Sequence, residues 1–357
     1  LRVPFVGVSL YDRVADLSLE IESYELEPLE HSVSPEFKRR TTVVRLSGGG
    51  HEGIGEDVTY SADDQETLQS EGPSLPLAGS HNLDSFSQLL DRLGLWPAGP
   101  AIEQFRPYRR WAYESAALDL ALRQAGAPLH EVIGLEPLPV TFVSSMRFGE
   151  PASIEPLTRW LEAYPKLRFK LDPTSTWDDA LVTSLVQTGA VDTLDLKGAY
   201  KGTPVDQEAD ATLYARVAMA FPNAWIEDPA LTEETDPVLE PHRSRITWDA
   251  PIHSVADIHG LPFPPRTLNF KPSRFGSVGA LLDAYDYCGE EQIGIYGGGQ
   301  FELGPGRGQI QYLASLFHPD MPNDVAPRAY NNAEPQPGLP TSPLAPAPSE
   351  TGFRWGE

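Results

Sequence analysis

From about residue 138 the chain alternates short apolar runs with helix-like stretches. A charged residue stands at or near the end of each of five runs: Lys170 (LRFK), Asp195 (VDTLDL), Glu227 (AWIE), Asp249 (ITWD) and Lys271 (TLNFK). Their separations of 25, 32, 22 and 22 residues match one strand plus one helix. Such a repeat, with short connections and no nucleotide fingerprint opening its first helix, predicts an α/β chain built on a TIM-like (β/α)7-8 barrel rather than an open sheet. In a parallel barrel the C-terminal strand ends converge on one mouth. The five residues then become one cluster of three carboxylates between two amines.

The repeat can be followed in the text of the chain. LPVTFVSSM precedes IEPLTRWLEAYP, LRFKLD precedes TWDDALVTSLVQTG, and ITWDAPI, TLNFKPS and IGIYGGG continue the series toward a last strand around NDVAP. The N-terminal third reads differently. LSLEIESYELEPL alternates, TTVVRLS is β-branched and GGGHEGIG suits a hairpin turn, so an antiparallel sheet is expected, followed by helices at DSFSQLLDRLGL and RRWAYESAALDLALRQAG. The division expected is an α+β lobe over 1–135, a barrel over 136–326 and a Pro-rich strap over 327–357 whose aromatic end, Phe353 and Trp355, docks on the N-terminal lobe.

Composition narrows the partners. A hydrophobic content of 40% over 357 residues supports a large core, and a net charge of -24 argues against nucleic acid, whose binding starts from a basic surface. No run approaches the roughly 18 apolar residues of a membrane span, and LRVPFVGVSLYDR lacks a basic-then-apolar pattern, so neither a membrane nor export is expected. The single cysteine, Cys288, excludes an internal disulfide and fits a cytoplasmic protein.

Three carboxylates, Asp195, Glu227 and Asp249, supply the hard oxygens that Mg²⁺ prefers. Buried together they would repel one another, so a divalent cation or compensating lysines must accompany them. Lys170 and Lys271 lie on strands before and after the carboxylate strands and would face each other across the mouth. A partly desolvated lysine near a cation has a lowered pKa and can act as a base. That chemistry suits removal of a proton next to a carboxylate, with the metal stabilising the enediolate. His253 and His318 share no spacing and are expected to be structural or on the surface.

The ordered set Arg168-x-Lys170, Asp195, IEDP (Glu227, Asp228), Asp249 and NFKPSRFGS (Asn269, Lys271) resembles the enolase superfamily, in its muconate lactonizing enzyme-like branch. The segment ESAALDLALRQAGAPLHEVIG resembles the stretch that precedes the barrel there, and the N-terminal lobe its capping domain. The resemblance covers nearly the whole chain. It implies Mg²⁺ on Asp195, Glu227 and Asp249, acid/base lysines Lys170 and Lys271 on opposite faces of a small carboxylate substrate, an isomerase or lyase activity (racemase or epimerase, cycloisomerase or β-elimination lyase), and a homo-oligomer. Departures from the pattern are Lys197 where Asn is usual, Ala250 after Asp249, and Arg168 as the first basic residue of the K-x-K motif.

Candidate substrate contacts are Arg168, Lys197, Asn269, and Gly298, Gly299 and Glu302 of the loop YGGGQFELGPGRGQ, whose glycines could cradle an anion. The segments PLEHSVSPEFKRRTT and GGGHEGIGEDV are expected to cover the mouth, bringing Lys38, Arg39 and Arg40 near it. Two other readings stay open: a lysine Schiff-base aldolase, and a non-catalytic ligand-binding barrel in which Lys197 stands in for the metal.

Overall fold

The computed structural model describes residues 7–32, 38–201, 203 and 205–356. Residues 33–37, the centre of the first expected mouth-covering segment, lie outside them. The N-terminal lobe opens with β1 (Ser18–Ile21), β2 (Ser23–Ser32), β3 (Lys38–Gly48) and β4 (His51–Asp57). Next come α1 (Ala62–Glu71), β5 (Gly79–Asn82), α2 (Leu83–Arg92), α3 (Arg106–Gln124) and the short α4 (Leu129–Ile133). Strands β2, β3 and β4 form the expected antiparallel sheet, while β1 pairs separately with β5.

GGGHEGIG is only in part a turn. The reversal takes Gly49 and Gly50, and β4 already starts at His51. Gly53 and Gly55 serve instead to let α3 lie on the sheet: a Cβ on them would sit 2.2 Å from Ala116 O and 2.0 Å from Ala112 O. The alanines of α3, Ala112, Ala116, Ala117 and Ala121, are the matching small residues and are buried.

The barrel half follows as β6 (Ser144–Met146), α5 (Glu155–Ala163), β7 (Phe169–Leu171), α6 (Asp179–Thr188), β8 (Val191–Asp195), α7 (Ala211–Ala220), β9 (Trp225–Glu227) and α8 (Asp236–Leu239). It continues with β10 (Ile246–Thr247), α9 (Val255–His259), β11 (Thr267–Phe270), α10 (Pro272–Phe275), α11 (Val278–Glu290), β12 (Gly294–Gly297) and α12 (Gly306–Phe317). Local chemistry sets the helix ends. Asp178, Asp210 and Ser277 accept a backbone N–H at the starts of α6, α7 and α11, and Gly189 ends α6 in a left-handed turn.

Strands β6 to β10 pair in parallel in sequence order, and β11 pairs in parallel with β12. The bond from Asn269 N to Trp248 O (3.0 Å) joins the two sets. Closure comes from residues 323 and 324, which bridge in parallel to Phe142 on one side and Gly298 on the other. NDVAP therefore fills the eighth position with two bridging residues rather than a full strand. This is the TIM-like barrel with an N-terminal α+β lobe. No helix among the described residues is long and apolar enough to cross a membrane.

The strap after the barrel runs extended. Leu344 bridges Val140, Gly352 bridges Pro128, and Phe353 N donates to Asp119 Oδ1 on α3 (2.8 Å), so the chain end docks on the N-terminal lobe. Cys288 is buried on α11.

A buried amide and imidazole latch the closing segment. Asn323 Oδ1 accepts Gly297 N–H (2.7 Å) and the His318 Nδ1–H (2.6 Å), while Tyr285 OH meets His318 Nε2 (3.0 Å). Burial depresses the His318 pKa to about 4 from its usual 6.5, with the Asn323 bond opposing. The folded state thus favours neutral imidazole, and this contribution is present above pH 6.5 and is lost as the pH falls toward 4. The loss is on the order of 3 kcal/mol. Urea unfolding at pH 7 and pH 4 should show a smaller acid-induced drop in His318→Gln than in the parent chain, by about that amount; equal drops would contradict the latch.

Candidate active site

Lys170 sits in β7 with its ammonium buried between two neighbouring strands. Its Nζ is 3.1 Å from Asp195 Oδ2 at the end of β8 and hydrogen-bonds Glu227 Oε1 at the end of β9. The other Glu227 oxygen accepts from Asn269 Nδ2 (3.1 Å) on β11 and from Tyr296 OH on β12. Side chains from β7, β11 and β12 thus converge on one β9 carboxylate, beside the end of β8.

Just past β8 the chain turns at Lys197, whose φ of 55° is left-handed. The turn brings both its N–H (3.1 Å, to Oδ1) and its ammonium (to Oδ2) onto Asp195. The same ammonium lies 3.7 Å from Asp172 Oδ1 and 5.0 Å from the Tyr200 ring centroid. Past β9, Asp228 also adopts a positive φ, 47°, and its two oxygens accept the N–H groups of Asp249 and Ala250, each at 2.8 Å. Asp249 Oδ2 in turn receives Lys271 Nζ (2.8 Å) and Tyr200 OH (2.7 Å), and Arg274 Nη1 holds the Ala250 carbonyl (2.8 Å).

Five buried carboxylates, Asp172, Asp195, Glu227, Asp228 and Asp249, therefore share this space with Lys170, Lys197, Lys271 and Arg274. The cations are unevenly distributed. Burial would raise Asp195 and Asp249, but Lys197 and Lys170 hold the first below the usual carboxylate range, and Arg274 and Lys271 the second. Burial together with neighbouring carboxylates pushes Glu227 up to about 8 and Asp228 up to about 7. Burial would lower Lys170, yet Glu227 and Asp195 raise it well above its ordinary value. Without a cation the Lys170 ammonium faces these carboxylates directly, which favours its charged form.

Among the described residues, Asp195, Glu227 and Asp228 offer oxygens that all lie within 4.8 Å of one another. Asp249 is outside that group, and its buried Oδ1 has no hydrogen bond but lies 3.3 Å from Arg274 Nε. The donors are all hard oxygens, and the two carboxylates shortest of positive charge belong to the trio. The residues present fit a small divalent cation.

The remaining expected residues are spread more widely. Gly298 packs against the working side chains: a Cβ there would lie 2.8 Å from Asn269 Oδ1 and 2.9 Å from Lys271 Cε. A Cβ on Gly299 would meet Glu302, which accepts Gln300 N–H and pairs with Arg307 at 3.0 Å, directed toward the seam with the N-terminal lobe. Arg168 pairs with Asp192 and the Gly189 carbonyl at the N-terminal end of β8, away from the mouth. Arg39 is buried and donates to the Val58, Thr59, Gln300 and Phe301 carbonyls, stapling the N-terminal lobe to the mouth loop. Arg40 and Lys38 pair with Glu30 instead. Tyr200, Arg274 and Tyr296 are site residues that sequence reasoning did not single out, and Asp228 entered it only as part of the resemblance, with no role. The tetrapeptide IEDP and the run KPSR are where Asp228 and Arg274 are visible.

Comparison with known families gives the chain its place. Residues 136–332 match the family described as "Domain of unknown function (DUF8230) C-terminal domain", and residues 12–132 match the corresponding N-terminal domain. The chain belongs to the DUF8230 family. A curated relative, o-succinylbenzoate synthase of Bacillus subtilis (strain 168), is 36% identical over 61 residues, which are 17% of the DUF8230 chain. The matched stretch spans only 16% of that relative's length.

Among solved structures, an enolase-superfamily member from Listeria innocua superposes with a TM-score of 0.63 at 19% identity, covering 87% of this chain and 86% of that one. Muconate lactonizing enzyme from Pseudomonas putida gives 0.64 at 17% identity, with 94% and 96% covered. A dipeptide epimerase from Methylococcus capsulatus complexed with Mg ion gives 0.63 at 17%, with 86% and 88% covered. The DUF8230 chain thus has the fold of the enolase superfamily.

The buried pairing makes a stability prediction. In metal-free buffer, Lys170→Met leaves Glu227 without a cation and Asp195 with Lys197 alone, and should cost about 3–5 kcal/mol in urea unfolding. Arg168→Met, which breaks a half-exposed pair, should cost less than about 1 kcal/mol. Similar losses for the two variants would contradict the assignment of Lys170 to the buried cluster.

Proposed function

We propose that the chain is a divalent-metal-dependent enzyme that removes the proton α to a substrate carboxylate, with Lys170 and Lys271 as the acid/base pair. The observation that carries the reading is the buried oxygen trio, with Lys170 of β7 on Asp195 and Glu227 and Lys271, just past β11, on Asp249 beyond it. Asp195 and Glu227 would hold the cation, with Asp228 or Asp249 as third ligand, and Mg²⁺ is the hard cation such a set prefers. Bound there, the cation would supply positive charge for the carboxylate oxygens of the substrate as its α-proton leaves.

The rest is done by the chain. With Lys170 and Lys271 approaching a bound substrate from opposite sides, one would remove a proton and the other return it on the opposite face. Either amine gives up its own proton more readily once its carboxylate partners are shared with a cation. The N-terminal lobe, stapled to the mouth loop by Arg39, limits water at the site. Racemisation, epimerisation, cycloisomerisation and β-elimination all begin with such a step or use the same charges, and the o-succinylbenzoate synthase and dipeptide epimerase likenesses agree with that class. The Schiff-base reading leaves the carboxylate trio without a role.

One observation favours the second reading, a non-catalytic barrel: the Lys197 ammonium and N–H already occupy both oxygens of Asp195. Two measurements separate the readings. α-Protons of a panel of small carboxylates, dipeptides and N-acylamino acids included, should exchange in D₂O with Mg²⁺. Exchange should stop on chelation and fall at least about a hundredfold in Lys170→Ala and Lys271→Ala. Mn²⁺ binding should tighten tenfold or more in Lys197→Asn, because a like charge at the ligand is removed. Binding seen only in Lys197→Asn, with no exchange in the parent chain, would favour the non-catalytic barrel.

A further inference from the structure

A second concavity lies away from the carboxylate cluster, where the β3–β4 hairpin, the start of α12 and the end of the strap meet. Its volume is about 480 Å³, within the range of small-molecule sites. Four arginines line it, Arg45, Arg307, Arg328 and Arg354, and no acidic residue does. In a chain with 27 Lys and Arg against 51 Asp and Glu, that concentration of one sign is the opposite of the average surface.

The arginines are held from behind. Arg45 Nε donates to Glu27 (2.7 Å) and its Nη1 to Glu52 (2.9 Å); Arg354 Nε donates to Asp119 (2.9 Å); and Arg307 reaches Glu302 (3.0 Å). None of those carboxylates lines the cavity. Arg45 also gives Nη2 to Glu27, and Arg354 Nη2 donates to the Glu52 carbonyl (2.9 Å), so these two are held in place as positive walls. Arg307 and Arg328 are less fully engaged, and a guanidinium held in place lowers the ordering cost of binding. Two donor groups are still to be used. Arg328 donates to the Leu303 carbonyl but has no carboxylate within ion-pair distance among the described residues, and Arg307 Nε is buried without a hydrogen-bond partner.

The strap supplies the remaining wall through Phe353 and Trp355, and a Cβ on Gly308 would lie 2.9 Å from Trp355 O, so α12 meets the strap backbone closely. The start of α12 adds little of its own, because Glu56 already accepts the N–H groups of Leu303, Gly304 and Gly306. The guanidinium groups are what an occupant would meet. A planar guanidinium fork matches the oxygens of a phosphate or carboxylate, and Arg307 and Arg328 are the two placed to present one.

We propose that this cavity is a binding site for a small, multiply charged oxyanion, a phosphate-bearing or polycarboxylate metabolite, separate from the carboxylate cluster. The proposal does not depend on the chemistry assigned to the barrel mouth, and metal-stripped protein can test it. Calorimetry and thermal unfolding of the whole chain are followed with pyrophosphate and with citrate, against sodium chloride of equal ionic strength. Saturable binding of one anion per chain is expected with at least one probe, weakened tenfold or more in Arg328→Ala and in Arg307→Ala and unchanged in Arg168→Ala.

Arg328 is exposed, so its variant should fold even if Arg307→Ala does not. Response to pyrophosphate alone assigns phosphate groups, and response to citrate alone assigns polycarboxylates. No effect beyond matched salt, or equal binding by Arg328→Ala, would overturn the proposal.

Discussion

Placing five carboxylates in one buried space is the costliest requirement of this chain, and the arrangement of cations answers it. An isolated buried carboxylate is strongly disfavoured, so each needs a partner or a proton. Lys170 spans Asp195 and Glu227, Lys197 doubles on Asp195, and Lys271 with Arg274 serves Asp249. Asp228 is left with two backbone N–H groups, and Glu227 with neutral donors beside one shared ammonium. The carboxylates short of positive charge are thus next to each other. That shortage is local, and it defines where a cation would be bound most tightly.

The N-terminal lobe is fixed by the same kind of interaction in another place. Glu56 accepts from the mouth loop, Arg39 donates to it, Arg109 pairs with Asp57 at 3.0 Å, and Asp119 gathers Ile54 N–H and the strap residues Phe353 and Arg354. Each is a buried charge satisfied across a boundary between segments. Such contacts are directional, so they set how the lobe sits over the mouth while the apolar core supplies bulk stability. The loop that carries Gly298 beside Lys271 is therefore anchored from the lobe rather than by the barrel alone.

The five spaced residues were legible because strand ends in a parallel barrel meet by geometry, and apolar runs mark those ends. What failed to read was whatever departs from strand alternation. Asp228 follows Glu227 directly and by alternation would face the outside, but a positive φ turns its carboxylate onto the Asp249 backbone. Tyr200 and Arg274 lie in a loop and a one-turn helix after their strands, where no periodicity predicts direction. Arg168 shares the face of Lys170 yet sits one pleat lower, at the far end of the barrel from the mouth. Gly53 and Gly55 looked like turn residues because the sequence does not show the helix that presses on them.

On this reading the buried carboxylates form a cation site with Lys170 and Lys271 beside it. The most direct test is the anomalous-difference map of crystals soaked in millimolar Mn²⁺. A peak bonded to Asp195 and Glu227, with Asp228 or Asp249 as third ligand and with Lys170 and Lys271 on either side, is the predicted result. A map without a peak, with the Lys197 ammonium still seated on Asp195, would contradict it.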